Sequence, residues 1–179
     1  MTSQIKSESL SFSQAIAFTE TLISRINADE LSEDEIKQIV SSILSTKNGG
    51  RGFFVAYLTN DSILADYPSR GIIEGLNISI KVSGELLVKN LAMSTAMVVA
   101  HRRNNDSSNE ENSLRIVQRT GKLIQKLSSD FVQTELKKLD LAISGDSNEY
   151  QNFLERWHYD SEQKQAIQQS IFNASTHQT

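Results

Sequence analysis

The sequence predicts a mainly α-helical single domain, a bundle of about six to seven helices around one apolar helix at residues 84–103. Apolar residues recur at spacings of three and four through most of the chain, as they do on one face of a helix. Serine and aspartate capping signals precede several of these runs. Pro68 is the only proline among 179 residues, so long helices are compatible with nearly all of the chain.

Two amphipathic helices are expected near the N-terminus. Ser11 and Gln14 have the spacing of a capping box at the start of the first helix, and Ser32 and Glu35 have it at the start of the second. The glycines after Asn48 are typical of a helix C-terminus, so we expect the second helix to end there. The short link between the two helices predicts an antiparallel hairpin.

Two later segments have patterns that strands also show. Residues 53–59 are aromatic and branched, which suits a buried strand or a buried helix. Residues 76–82 alternate apolar and polar side chains, as a strand does. Two isolated strands are marginally stable without covering helices. We therefore expect at most a minor two-stranded β element near 53–59 and 76–82.

The central helix has the most continuous apolar sequence in the chain. Residues 84–103 leave almost no polar face, which is typical of a helix that is surrounded on all sides. Leu91, Met97 and Val98 are therefore expected to be buried. A long helical region at 113–144 follows, and two short helices close the chain.

Tails flank the predicted domain. Residues 1–9 and 174–179 are polar and are expected to be disordered, which leaves residues 10–173 as the domain. No secretory signal is evident, and the most apolar stretch, residues 91–100, is half the roughly 20 residues that a membrane span needs. We expect a cytoplasmic protein without a membrane partner.

Composition and motifs argue against several kinds of catalytic site. The chain has no cysteine, which excludes disulfides, thiolate metal sites and cysteine nucleophiles. The three histidines are scattered without metal-ligand spacing. The glycines of "NGGRG" are expected to close a helix, whereas a phosphate-binding loop opens one after a strand. We predict no metal, no cofactor and no catalytic residue.

One helix face is unusual for its charge. Residues 115–127 carry four basic side chains and no acidic one, although the whole chain has a net charge of −4. Their steps of 4, 3 and 4 place them on one line of a helix, opposite an apolar face. This line is therefore expected to be an exposed helix face. Either it is solvated or neutralised by acidic residues at 106–111 and 29–35, or it binds an anionic partner. The candidate anion- or partner-binding residues are Arg102, Arg103, Arg115, Arg119, Lys122 and Lys126.

Two further groups of residues are candidates for binding. Polar side chains gather beside Pro68, where they predict either a pocket or the start of a helix. Others follow one line of the central helix, where they predict either the lining of a pocket or a hydrogen-bonded seam between helices. The candidate pocket residues are Asp66, Tyr67, Ser69, Arg70, Asn90, Ser94 and His101. The "FLERWHY" segment favours either core packing or an interface anchor, and its candidate interface residues are Trp157, His158 and Tyr159.

These patterns favour a non-enzymatic protein-interaction module: an adaptor, regulator or assembly subunit that binds another protein, itself, or both. The first alternative is binding of nucleic acid or another polyanion through the basic face at 115–126, although the acidic composition does not favour it. The second alternative is an enzyme with a pocket near residues 66–70.

Overall fold

The computed structural model describes residues 10–175 of the chain, and within that range it contains nine α-helices, one short 3₁₀ helix and no strand. The predicted mainly α-helical class is confirmed. The α-helices are α1 Phe12–Asn27, α2 Glu33–Ile43, α3 Lys47–Thr59, α4 Arg70–Ile78, α5 Ile80–Arg103, α6 Ser107–Leu127, α7 Asp130–Ile143, α8 Gln151–Trp157 and α9 Ser161–Ser175; the 3₁₀ helix is Ile63–Ala65. The chain forms two compact units, residues 1–83 and 84–179.

In the first unit, α1 packs against α3 through a glycine. A Cβ added at Gly52 of α3 would lie 2.6 Å from the Ala15 Cβ and 2.6 Å from the Phe12 carbonyl oxygen of α1. Real Cβ contacts are not that short, so only glycine allows the two backbones to approach this closely. Ser11 caps α1 with the predicted capping box, and the buried face of this helix includes Leu22.

The pair formed by α2 and α4 has the same construction. A Cβ at Gly75 of α4 would lie 2.7 Å from the Val40 Cβ of α2, and one at Gly71 would meet the backbone of Glu33. The Gly71 amide also donates a hydrogen bond to the Glu33 carboxylate. Ser32 caps α2 with the predicted capping box.

These pairings correct the predicted hairpin of the first two helices. Each of them packs mainly against a later helix, α1 against α3 and α2 against α4. The predicted end of α2 is also wrong, since α2 ends at Ile43, Thr46 caps α3, and Gly49 lies in the first turn of α3. Glycine is needed at that point because a Cβ at Gly49 would collide with the carbonyl oxygen of Ile43.

The suggested β element is wrong at both of its segments. Residues 53–59 belong to α3, where the rings of Phe53 and Tyr57 stack 5.2 Å apart, and the Tyr57 hydroxyl donates to the Leu64 carbonyl at 2.8 Å. Residues 76–82 span the junction of α4 and α5. The alternating residues fall across the end of one helix and the start of the next, where Ile78 is 64% exposed, as a residue on the buried face of a strand would not be.

The second unit contains most of α5 together with α6 to α9. Leu91 and Val98 of α5 are buried as predicted, but Met97 is 45% exposed, which corrects its predicted burial. Helix α9 contacts α6 and α7. It also hydrogen-bonds to α5, since the Thr95 hydroxyl donates to that of Ser170 at 3.0 Å.

Both predicted tails fall largely outside the described residues. The segment 1–9 lies wholly outside them, and so do residues 176–179. The remaining two residues of the predicted C-terminal tail, 174 and 175, are the last residues of α9. By length and composition, α5 would suffice to cross a membrane, although 61% of its most apolar window is buried inside the protein, and core helices of soluble proteins pass the same test.

Candidate functional site

A groove of about 610 Å³ lies in the second unit, along α6 and α9. Its apolar lining consists of Leu91, Leu114, Val117 and Ala174. Its uncharged polar lining consists of Gln118, Gln125, Ser170 and Asn173. The Gln125 side-chain amide donates to the Asn173 carbonyl at 3.0 Å, which ties one wall to the other.

Gly121 and Lys122 complete the lining of the groove. A Cβ added at Gly121 would meet nothing within 4 Å, so the α6 backbone is open at this point. Leu114 lies two turns before Gly121 on the same side of α6 and is 43% exposed. The groove therefore presents apolar surface to solvent beside an uncovered stretch of helix backbone.

The walls of the groove have one sign of charge. Residues 112–127 of α6 include four basic side chains and no acidic one, and residues 163–175 of α9 include one basic side chain and no acidic one. Lys122 and Lys126 are exposed on α6. The groove thus lies in a positive region of a chain whose net charge is −4.

The basic line on α6 is not a uniformly exposed face, which corrects the sequence-based expectation. Arg119 is 2% exposed, and Arg115 is partly buried. Leu123, one turn after Arg119, is fully buried, so the side of α6 that carries these two residues is covered by the rest of the protein. Arg115, Arg119 and Lys122 each interact with another group of the chain.

Arg102 and Arg103 pair with carboxylates at the end of α5. The Arg102 Nε lies 2.8 Å from the Glu110 Oε1, so Glu110 forms a salt bridge with Arg102. Arg103 donates to Asp160 at 3.1 Å through Nη2 and pairs with Glu162. Hydrogen bonds from Arg103 hold the pKa of Asp160 well below its ordinary value of 3.8, and the pKa of Arg103 is raised in turn.

The first part of the candidate pocket forms the start of α4. Ser69 is the N-cap, and its hydroxyl accepts from the Ile72 amide at 3.5 Å. Arg70 pairs with Glu74 at 3.1 Å. Asp66 ends the 3₁₀ helix, and Tyr67 is exposed. The helix-start alternative is therefore confirmed for Ser69.

The second part of the candidate pocket lies on α5, in the other unit. The Ser94 hydroxyl donates to the carbonyl of Asn90 at 2.5 Å, within its own helix. His101 Nδ1 lies 3.6 Å from the Asp106 carboxylate. The seven residues are thus divided between the two units.

The aromatic segment at the end of α8 is partly core and partly surface. Tyr159 is buried, contacts the ring of Phe153 at 6.2 Å, and has a pKa raised to about 12 by burial. Trp157 is 46% exposed. His158 has a left-handed backbone, with φ at 49°, and lines a second cleft of about 440 Å³ with Tyr159 and Lys164.

The structure also contains two features that the sequence analysis missed. One is the groove. Its only local signal in the sequence is a glycine inside an amphipathic helix, where glycine disfavours helix formation. The other is a buried hydrogen bond at 2.7 Å from the Tyr150 hydroxyl to Glu135, which also pairs with Lys138 at 2.9 Å. Burial, and then this bond, raise the pKa of Tyr150. No pattern in the sequence marks Glu135 as the partner.

Comparison with known proteins identifies a family but no characterised relative. Residues 11–174 match the model of a family described as "Uncharacterised conserved protein UCP020893". No curated protein and no solved structure matches the chain. Because the match covers most of the sequence, the chain belongs to the family of uncharacterised conserved proteins UCP020893.

Proposed function

We propose that this chain is a non-enzymatic protein-interaction module, an adaptor, regulator or assembly subunit of the cytoplasm, and that it binds a protein partner through the groove between α6 and α9. The observation that carries the proposal is the open backbone at Gly121 in the middle of that groove. An exposed apolar strip beside an uncovered helix backbone is a surface onto which another protein element packs.

The chemistry of the lining supports binding over catalysis. Lys122 is the only titratable residue among the described residues that line the groove. An active site needs several titratable or nucleophilic groups that converge on one reacting atom. The cores of protein interfaces, in contrast, are depleted of charged residues. The composition of the groove fits the second description.

Binding of a polyanion is the alternative that the charge of α6 keeps open. It has less support than the sequence predicted, because Arg119 is buried and Arg102 and Arg103 are already paired with carboxylates. Lys122 and Lys126 are the exposed cations of the basic line, and Lys122 already interacts with another group of the chain. Two phosphate contacts would give weak binding that falls about tenfold between about 50 mM and about 200 mM salt.

The test is affinity purification from the native cell with two baits, the parent chain and its Gly121→Leu variant. The Cβ position at Gly121 is open, so a leucine side chain there would extend into the groove that Gly121 lines. Purification is carried out at about 50 mM and about 200 mM salt, with and without nuclease. Gly121→Ala serves as the matched control, since a methyl group leaves most of the groove open.

We expect a protein partner that the parent and Gly121→Ala retain at both salt concentrations and that Gly121→Leu loses. Nucleic acid that is recovered at low salt and lost at high salt would support the polyanion alternative instead. A partner that Gly121→Leu retains as well as the parent would overturn the proposal that the groove is the binding site.

A further inference from the structure

The glycines of the first unit indicate what kind of element the groove receives. Gly52, Gly71 and Gly75 are helical glycines, and each lies where a second helix approaches too closely for a Cβ. Gly121 is also helical, but the described part of the chain places nothing within 4 Å of its Cβ position. Glycine inside a helix makes the helix less stable than alanine does. In the first unit the close helix contact offsets this cost.

The second wall of the groove also contains small side chains. Ser170 and Ala174 of α9 are four residues apart, one turn along the helix, and both line the groove with Gly121. Small residues on both walls allow a third helix to lie close to the two that form the groove. A helix satisfies its own backbone hydrogen bonds, so it needs only an apolar face to dock here.

The charge of the walls indicates which helix fits. Among the described residues, neither α6 from 112 onward nor α9 from 163 onward contributes a carboxylate. Lys126 is exposed one turn beyond Lys122 at the C-terminal end of α6. Carboxylates on the flanks of a docked helix would complement these cations, whereas basic flanks would be repelled.

The chain does not offer such a helix from its own acidic element. The acidic first turn of α2 is engaged within the first unit, where Glu33 accepts from Gly71, Asp34 pairs with Lys37 at 2.8 Å, and Glu35 accepts from Ser32 at 2.9 Å. The apolar face of α2, formed by Ile36, Val40 and Ile43, is buried in the first unit, so a second copy of the chain could present that face only by unpacking the helix. A different protein is therefore the better occupant.

We infer that the groove between α6 and α9 receives an acidic amphipathic α-helix from a partner protein, with its apolar face on Leu114 and Gly121 and its carboxylates toward Lys122 and Lys126. The inference rests on the proposed function and specifies its partner. It places the closest approach of the two helices at Gly121, as the first unit does at Gly52 and Gly75.

The test uses two synthetic peptides with the same apolar face, spaced as i, i+3, i+4 and i+7. One carries glutamate on its flanks, and the other carries glutamine at the same positions. Binding to the full chain is measured by fluorescence anisotropy, and the site is located from the NMR shift of the Gly121 amide. The protein variants are Gly121→Leu, Gly121→Ala and Lys126→Glu. Lys137→Glu, an exposed lysine on α7, is the matched charge control.

We expect the glutamate peptide to bind and to shift the Gly121 amide. Gly121→Leu should weaken binding more than about tenfold, as loss of a central contact does. Lys126→Glu should weaken it about fivefold at low salt, and Lys137→Glu should leave it unchanged. The glutamine peptide should bind less tightly than the glutamate peptide.

Equal binding of the glutamate and glutamine peptides would overturn the inference that the partner helix is acidic. The proposed function would still stand if Gly121→Leu lost a protein partner in the purification. Failure of both peptides to shift the Gly121 amide would overturn the helical occupant in the same way. A dimer of the parent chain in sedimentation that Gly121→Leu abolishes would identify a second copy as the occupant and overturn the inference.

Discussion

Gly52 of α3 and Gly121 of α6 lie inside helices of the two units and have opposite surroundings. The position of a Cβ at Gly52 is 2.6 Å from α1, whereas at Gly121 it is open. The first glycine is explained by packing within the chain. The second has the same cost in helix stability without that packing. Gly52 and Gly71 mark a close approach of helix backbones, whereas the described residues place no such neighbour at Gly121, where the proposed partner helix would supply it.

The largest change in stability is expected when a side chain is added at the close helix contacts of the first unit. Gly52→Ala and Gly75→Ala place a methyl group 2.6 Å from the Ala15 Cβ and 2.7 Å from the Val40 Cβ, respectively. The helices must separate to admit it. We expect each change to lower the free energy of unfolding by about 1–3 kcal/mol, as overpacking of a core does. Urea denaturation measures this, with the slope of the transition checked for constancy.

The control for these two substitutions is Gly121→Ala, which adds the same methyl group to a helix without a neighbour at that point. A loss below about 0.5 kcal/mol at both Gly52 and Gly75 would show that the helix pairs of the first unit adjust easily. In that case the comparison between the two units would fail, since close approach would not be what requires glycine.

Local signals predicted the helices better than they predicted the packing. The capping boxes at Ser11 and Ser32 are present as expected, because a cap depends on residues three positions apart. The pairing of α1 with α3 depends instead on the approach of Gly52 to Phe12 and Ala15. These residues lie about 40 positions apart in the sequence, which is too far for periodicity or capping patterns to register. The sequence therefore favoured the nearer helix as the partner of α1.

The candidate site was predicted in part for the same reason. The positive charge of α6 is visible in the sequence, but the burial of Arg119 depends on what covers the side of the helix next to Leu123. The pairing of Arg103 with Asp160 joins residues 57 positions apart. Side-chain partners at that separation are set by the fold, so the sequence supplied the candidates without their contacts.

A smaller change of opposite sign is expected at Gly121. Gly121→Ala improves helix propensity and meets no neighbour, so we expect it to raise the free energy of unfolding by about 0.5–1 kcal/mol. Urea denaturation under the conditions used for Gly52→Ala gives the direct comparison. A loss of stability would show that the surroundings of Gly121 are not open, and the groove would lose its central feature.

The smallest expected effect concerns the stability that the Arg103–Asp160 pair gives to the first turn of α9, one wall of the groove. Asp160 caps this helix by accepting from the Gln163 amide at 3.0 Å, and it pairs with Arg103. Hydrogen bonds from Arg103 are the main cause that lowers the pKa of Asp160 below 3.8. A carboxyl with a lowered pKa contributes stability above its ordinary pKa, and that contribution is lost as the pH falls through the folded value.

We therefore expect Arg103→Gln to melt below the parent chain at about pH 7, and the difference to narrow as the pH falls from about 5 toward 2. Both groups are exposed, so the effect should be modest and should shrink with added salt. Thermal melts followed by circular dichroism measure it. Arg156→Gln, an exposed arginine of α8, is the control and should show no such trend. A constant difference between the parent and Arg103→Gln across this pH range would show that Arg103 supports α9 by packing alone, so that the wall of the groove would not depend on the charge of Asp160.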